Sequence, residues 1–553
     1  MLPEVPNGGN IVRKTQTEFG GMDARPLAGN GVLRAANNMT SDYLPALRSC
    51  AAQPIICNFN GVKKPNGMYW AGKLYFVDGT ELKVFGEDMS WSKVTTVGTV
   101  TDSEKVMCAL GDRLVIWPDK LIVTKEGTLE SLEASYTAEG LVFGDGTYAG
   151  ESAEGNSITT TGEEFPFKVG DGVTISGCGE EANNVTAIIR EISEDKKTLR
   201  FYENTFTGAT ETGEVTIKRE VPDLDWLCAN ENRLWGVKGD TIRCCKLGDP
   251  YNWNVFDGIS TDAWSVEAGS PGEFTGAISY LGYPVLFKED KIYKVYGNKP
   301  TNFELMSSAT QGVKKGSGHS LAIAGETLFY LGPTGIMAYS GGMPSRIDEP
   351  LNRIFTKVVG GSDGDKYYAA WHGILGDVAV PSYSQGDLYG CFVWDPRRSV
   401  WMNQGIGEAV CMARGDGLYS IPSNGRMTRI DCGVWHKMAG VNSYVVPSSS
   451  VEFGPFDWSS FGSKYPISLK LRLRAYGTAK FEVALRADGQ RWVTVKNFTH
   501  AGGLDPVESD FIVNVPIRRC SQYSVKIYCT EGWGWTLYGM EHEFYIGQKS
   551  RRE

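Results

Sequence analysis

The sequence predicts a mainly β chain: a β-propeller of six to eight blades, with an inserted small β-barrel or sandwich domain and a C-terminal β-sandwich. Three observations predict it. First, the segment Phe274 to Ile347 states one pattern twice: a short apolar strand, a Gly turn, a strongly apolar run, a polar or Gly turn, and an aromatic-rich run. The first copy reads Ala277 to Leu281, Gly282, Val285 to Lys288, Glu289-Asp290, Ile292 to Tyr296; the second reads Leu321 to Ala324, Gly325, Leu328 to Leu331, Gly332 to Gly335, Ile336 to Tyr339. Runs of four or five β-branched and aromatic residues bounded by Gly, Asp and Pro are strands joined by tight turns, and a repeat of roughly forty residues is a propeller-blade spacing. Second, the phrase recurs at Met68 to Trp91, Val106 to Val123 and Trp226 to Cys245, and more loosely at Tyr367 to Trp401 and Ala409 to Ile430, which makes seven candidates. Third, no stretch joins helical apolar periodicity to the length of an ordinary helix, while 67 glycines and 11% aromatics point to many short strands and turns. One such sheet cannot bury its faces alone, so several are expected to pack radially.

Taken in order, residues 1–50 carry little strand pattern and read as an N-terminal extended arm, expected to close the first blade. Residues 51–135 hold the first blades. At about Tyr136 the pattern breaks, and 136–221, richer in Gly, Thr and Glu, reads as the inserted β-domain. Its strands are placed by Val169, Val173, Ile175, Val185, Ile188, Ile192, Leu199 and Phe201. The remaining blades fill 222–445. Val446 to Ser450 is a break in composition, and 446–553 forms the sandwich, with alternation at Leu469, Leu471 and Leu473, at Phe481, Val483 and Leu485, and at Val525, Ile527 and Tyr528. Asp488-Gly489 is a hairpin turn within it.

The formal net charge of −10 argues against gripping a nucleic-acid backbone, which needs clustered cations. The start, MLPEVPNGGN, lacks a charged segment followed by an apolar one, so no secretory signal is expected, and no run of eighteen apolar residues predicts a membrane span. The twelve cysteines include no CxxC pair and read as small buried hydrophobes of a cytosolic protein rather than a disulfide framework.

Candidate chemistry was weighed residue by residue. Asp249, Asp257 and Asp262 lie near Trp253 and Trp264, and carboxylates with aromatics can form a sugar site; the competing reading is a loop stapled by Trp burial and Asp turns. RADGQRW at Arg486 to Trp492 has the wrong spacing for a sialidase Asp box. The five histidines, His319, His372, His436, His500 and His542, occur singly, without metal-ligand spacing. Asp363-Gly364-Asp365 could hold calcium but reads as a turn, Arg414-Gly415-Asp416 as a chance integrin tripeptide. Lys314-Lys315, Arg397-Arg398, Arg518-Arg519 and Arg551-Arg552 read as solvated or intersubunit pairs. There is no phosphate loop and no nucleophile elbow. No catalytic, cofactor or metal residue is expected, and no cofactor.

Three stretches carry a resemblance. The early FGGMDARPLAGNGVLRAANNMTSDYLPALRSC, the text from Asp249 to Gly297, and GPTGIMAYSGGMPSRI resemble structural proteins of tailed bacteriophages, specifically the tail nozzle (tail tubular protein B type) and the phage stabilisation proteins. The resemblance covers residues 15 to 48 and about 220 to 350 best. It implies a non-enzymatic virion protein of the tail, made in the bacterial host cytoplasm. Copies would form a cyclic ring, a hexamer in the nozzle case, that meets other tail or adaptor proteins and tail fibres. Such a ring would retain and conduct DNA without sequence-specific binding, through a channel lined more by Asp and Glu than by Lys and Arg. Two alternatives stay open: a host-surface carbohydrate-binding virion protein, and a propeller glycoside hydrolase.

Overall fold

The computed structural model describes residues 11–25, 29–50, 53–145, 155–202, 206–375, 388–405, 408–431, 444–445, 448–460, 462–500, 507–517, 519–532 and 534–547. Among them the regular elements are β-strands, relieved by five 3-10 turns of three residues each. The chain is mainly β, with propeller blades, an inserted small β-domain and a C-terminal β-sandwich. It divides into two compact units, one comprising Asn66–Val84 and Thr95–Gly318, the other Met1–Pro65, Phe85–Val94 and His319–Glu553.

The first of these units holds four antiparallel four-stranded blades, each a meander in chain order. Blade 1 is Pro65–Ala71, Lys73–Asp78, Glu81–Val84 and Thr95–Thr99; blade 2 is Val106–Leu110, Arg113–Trp117, Leu121–Val123 and Leu129–Ser131. Blade 3 is Trp226–Asn230, Arg233–Lys238, Thr241–Cys244 and Trp264–Glu267; blade 4 is Gly276–Tyr280, Tyr283–Phe287, Lys291–Tyr296 and Glu304–Ala309. Second strands read as continuous apolar runs because both of their faces are covered: Leu114 to Trp117, Leu234 to Val237 and Val285 to Phe287 are all buried. Cores lie between successive blades. Val77 and Leu82 of blade 1 meet Leu114, Ile116 and Val123 of blade 2, and Val115, Trp117 and Ile122 on blade 2's other face meet Leu227 and Leu234 of blade 3. Trp235, Val237 and Ile242 of blade 3 then meet Leu286, Tyr293 and Val295 of blade 4. Each fully buried Val, Leu or Ile stabilises by about 1.5–3 kcal/mol, which is how sheets this short hold together. Two buried lysines reinforce the stack. Lys105 sits 2.6 Å from Asp119. Lys288 of blade 4 reaches Asp240 at the blade 3 turn, and its ammonium also faces the rings of Phe274 and Tyr293.

The inserted domain follows blade 2. Its eight strands run in the order Ala134–Ala138, Val215–Arg219, Gly172–Ser176, Thr186–Ile192, Thr198–Phe201, Ser157–Thr159, Val142–Gly144 and Ala209–Thr210. It has its own core of Phe143, Ile158, Phe165, Val173, Ile175, Ile189, Leu199, Phe201, Val215 and Ile217. Two expectations shift here: Val169, 61% exposed, lies in a turn instead of a strand, and Val185 falls just before its strand. Ile188 lies in the strand Thr186–Ile192 as expected, where Ile189, before a register break at Glu191, is the residue that enters the core.

The other unit holds blade 5 (Ala322–Ala324, Thr327–Gly332, Gly335–Tyr339, Ser345–Arg346), blade 6 (Arg353–Ser362, Tyr367–Leu375, Leu388–Asp395, Val400–Asn403) and blade 7 (Cys411–Arg414, Leu418–Ile421, Thr428–Arg429). Seven blade sheets are thus present among the described residues, at the seven places where the sequence repeats.

The sandwich has two five-stranded layers and a sixth strand on one of them. One layer runs Met39–Thr40, Leu47–Ser49, Gly534–Gly547, Ser463–Tyr476, Val507–Asn514, with Ile11–Gln16 also on Gly534–Gly547. The other runs Leu33–Asn37, Ser449–Phe456, Tyr523–Glu531, Ala479–Ala487, Val493–His500. Leu469, Leu471, Leu473, Phe481, Val483, Leu485, Val525 and Ile527 face inward. Tyr528 does not; Cys529 takes the third inward position of its strand, as strand alternation requires. The N-terminal segment differs from the expected extended arm. Four of its strands belong to this sandwich, and the fifth, Gln53–Pro54, pairs with Tyr444–Val445 while Ile55 bridges to Thr428 of blade 7. The segment therefore adds to the last blade rather than closing the first. These strands are two to six residues long, and Ile11–Gln16, Leu33–Asn37 and Leu47–Ser49 take their register from long partners far away in sequence, so no local alternation marks them.

Candidate functional site

The Asp and Trp loop between the third and fourth strands of blade 3 resolves into staples. Trp253 is 2% exposed and donates its indole N–H to the Pro250 carbonyl at 2.9 Å, so it offers no face to a sugar. Asp249 accepts from the Tyr251 amide at 3.0 Å and the Asn252 side chain at 2.7 Å. Asp262, also buried, accepts from the Gly258 and Ile259 amides at 2.6 and 3.0 Å. Trp264 packs edge-on against Trp235 and Phe303, and Asp257 is exposed. Asp249 and Asp262 are thus engaged in separate turns, not aimed at one bond.

The remaining motifs fall similarly. Asp363 accepts from the Asp365 and Lys366 amides at 2.9 and 2.7 Å and from the Tyr368 hydroxyl at 2.9 Å, which makes the Asp-Gly-Asp run a turn. In the Arg-Gly-Asp run, Asp416 is held by Tyr419 at 2.8 Å and Arg429 at 3.3 Å. Asp488-Gly489 is the hairpin turn, both residues at positive φ. Lys315 pairs with Glu273 at 2.8 Å, and Arg519 donates to Ser463 at 3.0 Å. Arg518, Arg551, Arg552 and His436 lie outside the described residues. Among the described residues no group of three or more His, Cys, Asp or Glu converges as a metal site would require, and no helix is long and apolar enough to cross a membrane.

A cavity of about 330 Å³ opens where residues 39–50 cross the turns of blade 6. Its walls are ionic. Asp395, 2% exposed, accepts from the Arg397 and Arg398 amides at 3.0 and 3.3 Å, from the Ser41 hydroxyl at 2.6 Å and from the Arg398 guanidinium at 3.1 Å. Asp42 takes the Lys366 ammonium and the Thr40 hydroxyl, while Arg398 donates to the Asp42 carbonyl at 3.1 Å. Arg397 reaches Asp365. Burial would push the Asp42 carboxyl up, but the hydrogen bonds from Lys366 and Thr40 outweigh it and hold it below its ordinary value. Burial pushes the Tyr368 phenol well up, so it stays protonated. With Asp395, Asp42 and Asp363 all engaged, the network clamps residues 39–42 onto blade 6 rather than offering an idle base.

A second cluster lies toward the opposite end of blade 6's strands, away from the turns at Asp363 and Asp395. Lys357, His372 and Tyr389 stand directly opposite one another on three adjacent strands, hence on one face, while the next row, Val358, Trp371 and Gly390, faces the other way. Trp371 stacks on Phe392 in the core at 5.3 Å. Glu408 comes in from the segment before blade 7 with its Oε2 3.3 Å from His372 Nε2, and its Oε1 accepts from the Ser423 hydroxyl. Tyr389 is 61% exposed, its ring 6.3 Å from the His372 ring. In the sequence His372 stands alone: Glu408 is distant from it and Tyr389 belongs to a strand with no motif, so only the strand register joins them.

No protein-family model and no curated protein matches the sequence. Solved structures give distant likenesses. They include an exo-β-1,3-galactanase from Phanerochaete chrysosporium (9% identity, 70% of this chain and 100% of that one, TM-score 0.20). A glycoside hydrolase family 43 arabinoxylan arabinofuranohydrolase from Bacillus subtilis (14%, 59% and 79%, TM-score 0.16) and the phage phi92 endosialidase (11%, 79% and 71%, TM-score 0.23) are others. These neighbours, glycoside hydrolases and an endosialidase, correct one expectation, that the chain is not an enzyme, and the expectation is withdrawn. At such TM-scores the likeness transfers no activity, substrate or catalytic residue.

Proposed function

We propose that the chain is a virion protein of a tailed bacteriophage that recognises carbohydrate at the host surface. The observation that carries this reading is a contrast among the described side chains. The candidate carboxylates are engaged inside turns and ion pairs, whereas large apolar and aromatic residues such as Tyr389, Phe256 and Tyr283 stay exposed on the blades. Exposed rings set among polar groups are suited to contact-based recognition of a sugar surface. The phage context is supported by the sequence resemblance at residues 15 to 48 and about 220 to 350. A glycan array probed with the purified chain tests the reading: binding competed by soluble host polysaccharide is expected, and an array with no competable signal refutes it.

A second reading is favoured by that resemblance and by the net charge of −10. Copies of the chain close into a six-membered ring in the tail, meeting adaptor proteins and fibres around an acidic channel that passes DNA without trapping it. Cyclic closure makes each contact heterologous. Sedimentation of the purified chain at high concentration is expected to show a hexamer, and a monomer at every concentration would count against the ring.

A further inference from the structure

We propose that the open end of blade 6 beside Glu408 is a subsite for one uncharged pyranose ring, with Tyr389 as its stacking platform and Glu408, Lys357 and His372 as its polar rim. This rests on the carbohydrate reading above and names where and what it binds. Because Lys357, His372 and Tyr389 are consecutive cross-strand partners, the Lys357 and Tyr389 side chains each emerge one strand spacing from His372, on its two sides and on the same face. Further along, that face packs on blade 7 through Tyr368, Ala370, Cys391 and Val393, but its end is open: Tyr389 is 61% exposed, and the side chains of His372 and Glu408 keep 34% and 22% of their surface.

Each group has a role the chemistry can specify. A pyranose has an apolar C–H face and an equatorial belt of hydroxyls. The phenol ring of Tyr389 covers the first, since an aromatic side chain joins an apolar body to a polar tip. Glu408 serves the second. Its two oxygens are fixed by His372 and Ser423, and a carboxylate oxygen has two acceptor sites, so each oxygen keeps one for a vicinal hydroxyl. Lys357 contributes donors on the other flank of His372. Preorganisation matters because the carboxylate need not be ordered on binding. Position sets the class: the hydroxyl belt faces the fixed Glu408 carboxylate, which accepts a neutral hydroxyl but repels a carboxylate or phosphate set there, while the Lys357 ammonium lies beyond His372 on the far flank. The ionic cavity near residues 39–50 lacks this combination, because its carboxylates are already engaged by cations.

One stacked ring with two or three hydrogen bonds corresponds to a Kd of about 1 mM. The experiment is saturation-transfer NMR on the full chain with methyl glycosides of glucose, galactose, mannose and N-acetylglucosamine, with 3′-sialyllactose alongside. At least one neutral glycoside is expected to bind. Tyr389→Ala should weaken it by about tenfold or more, Tyr389→Phe by less than about threefold, and Glu408→Gln by about threefold to tenfold, with melting temperatures unchanged. Three results overturn the proposal. Binding of a neutral glycoside that Tyr389→Ala leaves intact removes the site but keeps carbohydrate recognition. Preference for the sialylated probe removes the ligand class. Absence of binding to every probe in the parent chain, together with a silent glycan array, removes both the site and the reading it rests on.

Discussion

His542 makes the sandwich acid-sensitive, and the size of the effect follows from its surroundings. The imidazole is 1% exposed among Phe456, Trp458 and Tyr523, whose ring centres lie 4.6, 5.0 and 5.7 Å away. Trp458 donates to the Tyr523 hydroxyl at 3.4 Å, which leaves that hydroxyl's proton for His542 Nδ1 at 2.9 Å and places the ring's own proton on Nε2. Nε2 has no hydrogen-bond partner among the described residues, and no carboxylate is there to stabilise a charge. Burial accordingly lowers the pKa from 6.5 to about 3. A folded-state pKa below the unfolded one means that the unfolded chain takes up the proton first as pH falls. The stability contributed by the neutral ring is present above 6.5 and is lost as pH drops from 6.5 toward 3. The full gap is worth up to about 5 kcal/mol, and about 2 kcal/mol of it is already lost at pH 5. His542→Leu removes this titration while keeping an apolar side chain of similar size. Thermal melts at pH 7.5 and 5.0 should show the variant losing about 2–4 °C less than the parent between the two conditions. Equal losses in parent and variant would refute the reasoning, because every other titrating group is common to both.

Three further outcomes follow from single sites. Asp240→Ala strips the carboxylate from Lys288, whose side chain is 1% exposed, and should cost about 3 kcal/mol in a melt of the parent against the variant; a change within about 0.5 kcal/mol would show that the Ser270 contacts suffice. Leu281 holds φ +52° at the blade 4 hairpin and is 57% exposed, so Leu281→Asn should raise stability by about 1 kcal/mol by relieving left-handed strain; a lower melting temperature would mean the side chain packs usefully. Gly425, at φ +72°, leaves no room for a Cβ, which would fall 1.8 Å from the Val62 carbonyl oxygen. Gly425→Ala should loosen the 53–62 segment and speed limited proteolysis there, and an unchanged cleavage rate would count against the close approach.

The blades were legible because their signal is local. Val285 to Lys288 and Leu328 to Leu331 are buried on both faces and flanked by turn residues at Gly282 and Gly325, both at positive φ, so composition and turn chemistry coincide. The inserted domain and the long strands around Leu471 and Val483 show themselves for the same reason. Pairing was not legible. Leu33–Asn37 joins Ser449–Phe456 across more than four hundred residues, and nothing within Leu33–Asn37 encodes that partner. The polar cluster suffered likewise: His372, Tyr389, Glu408 and Ser423 come together through register and sheet neighbours, whereas the Asp and Trp run is the stapled loop that its local tryptophans and turn residues suggest.

The account's central claim, that this is a surface-recognising protein of a phage particle, is tested most directly by gold-labelled antibody imaging of intact particles of the source phage. Label on the tail or its tip, displaced when particles are pre-adsorbed to host polysaccharide, is the predicted result. Particles that carry no label anywhere would contradict it.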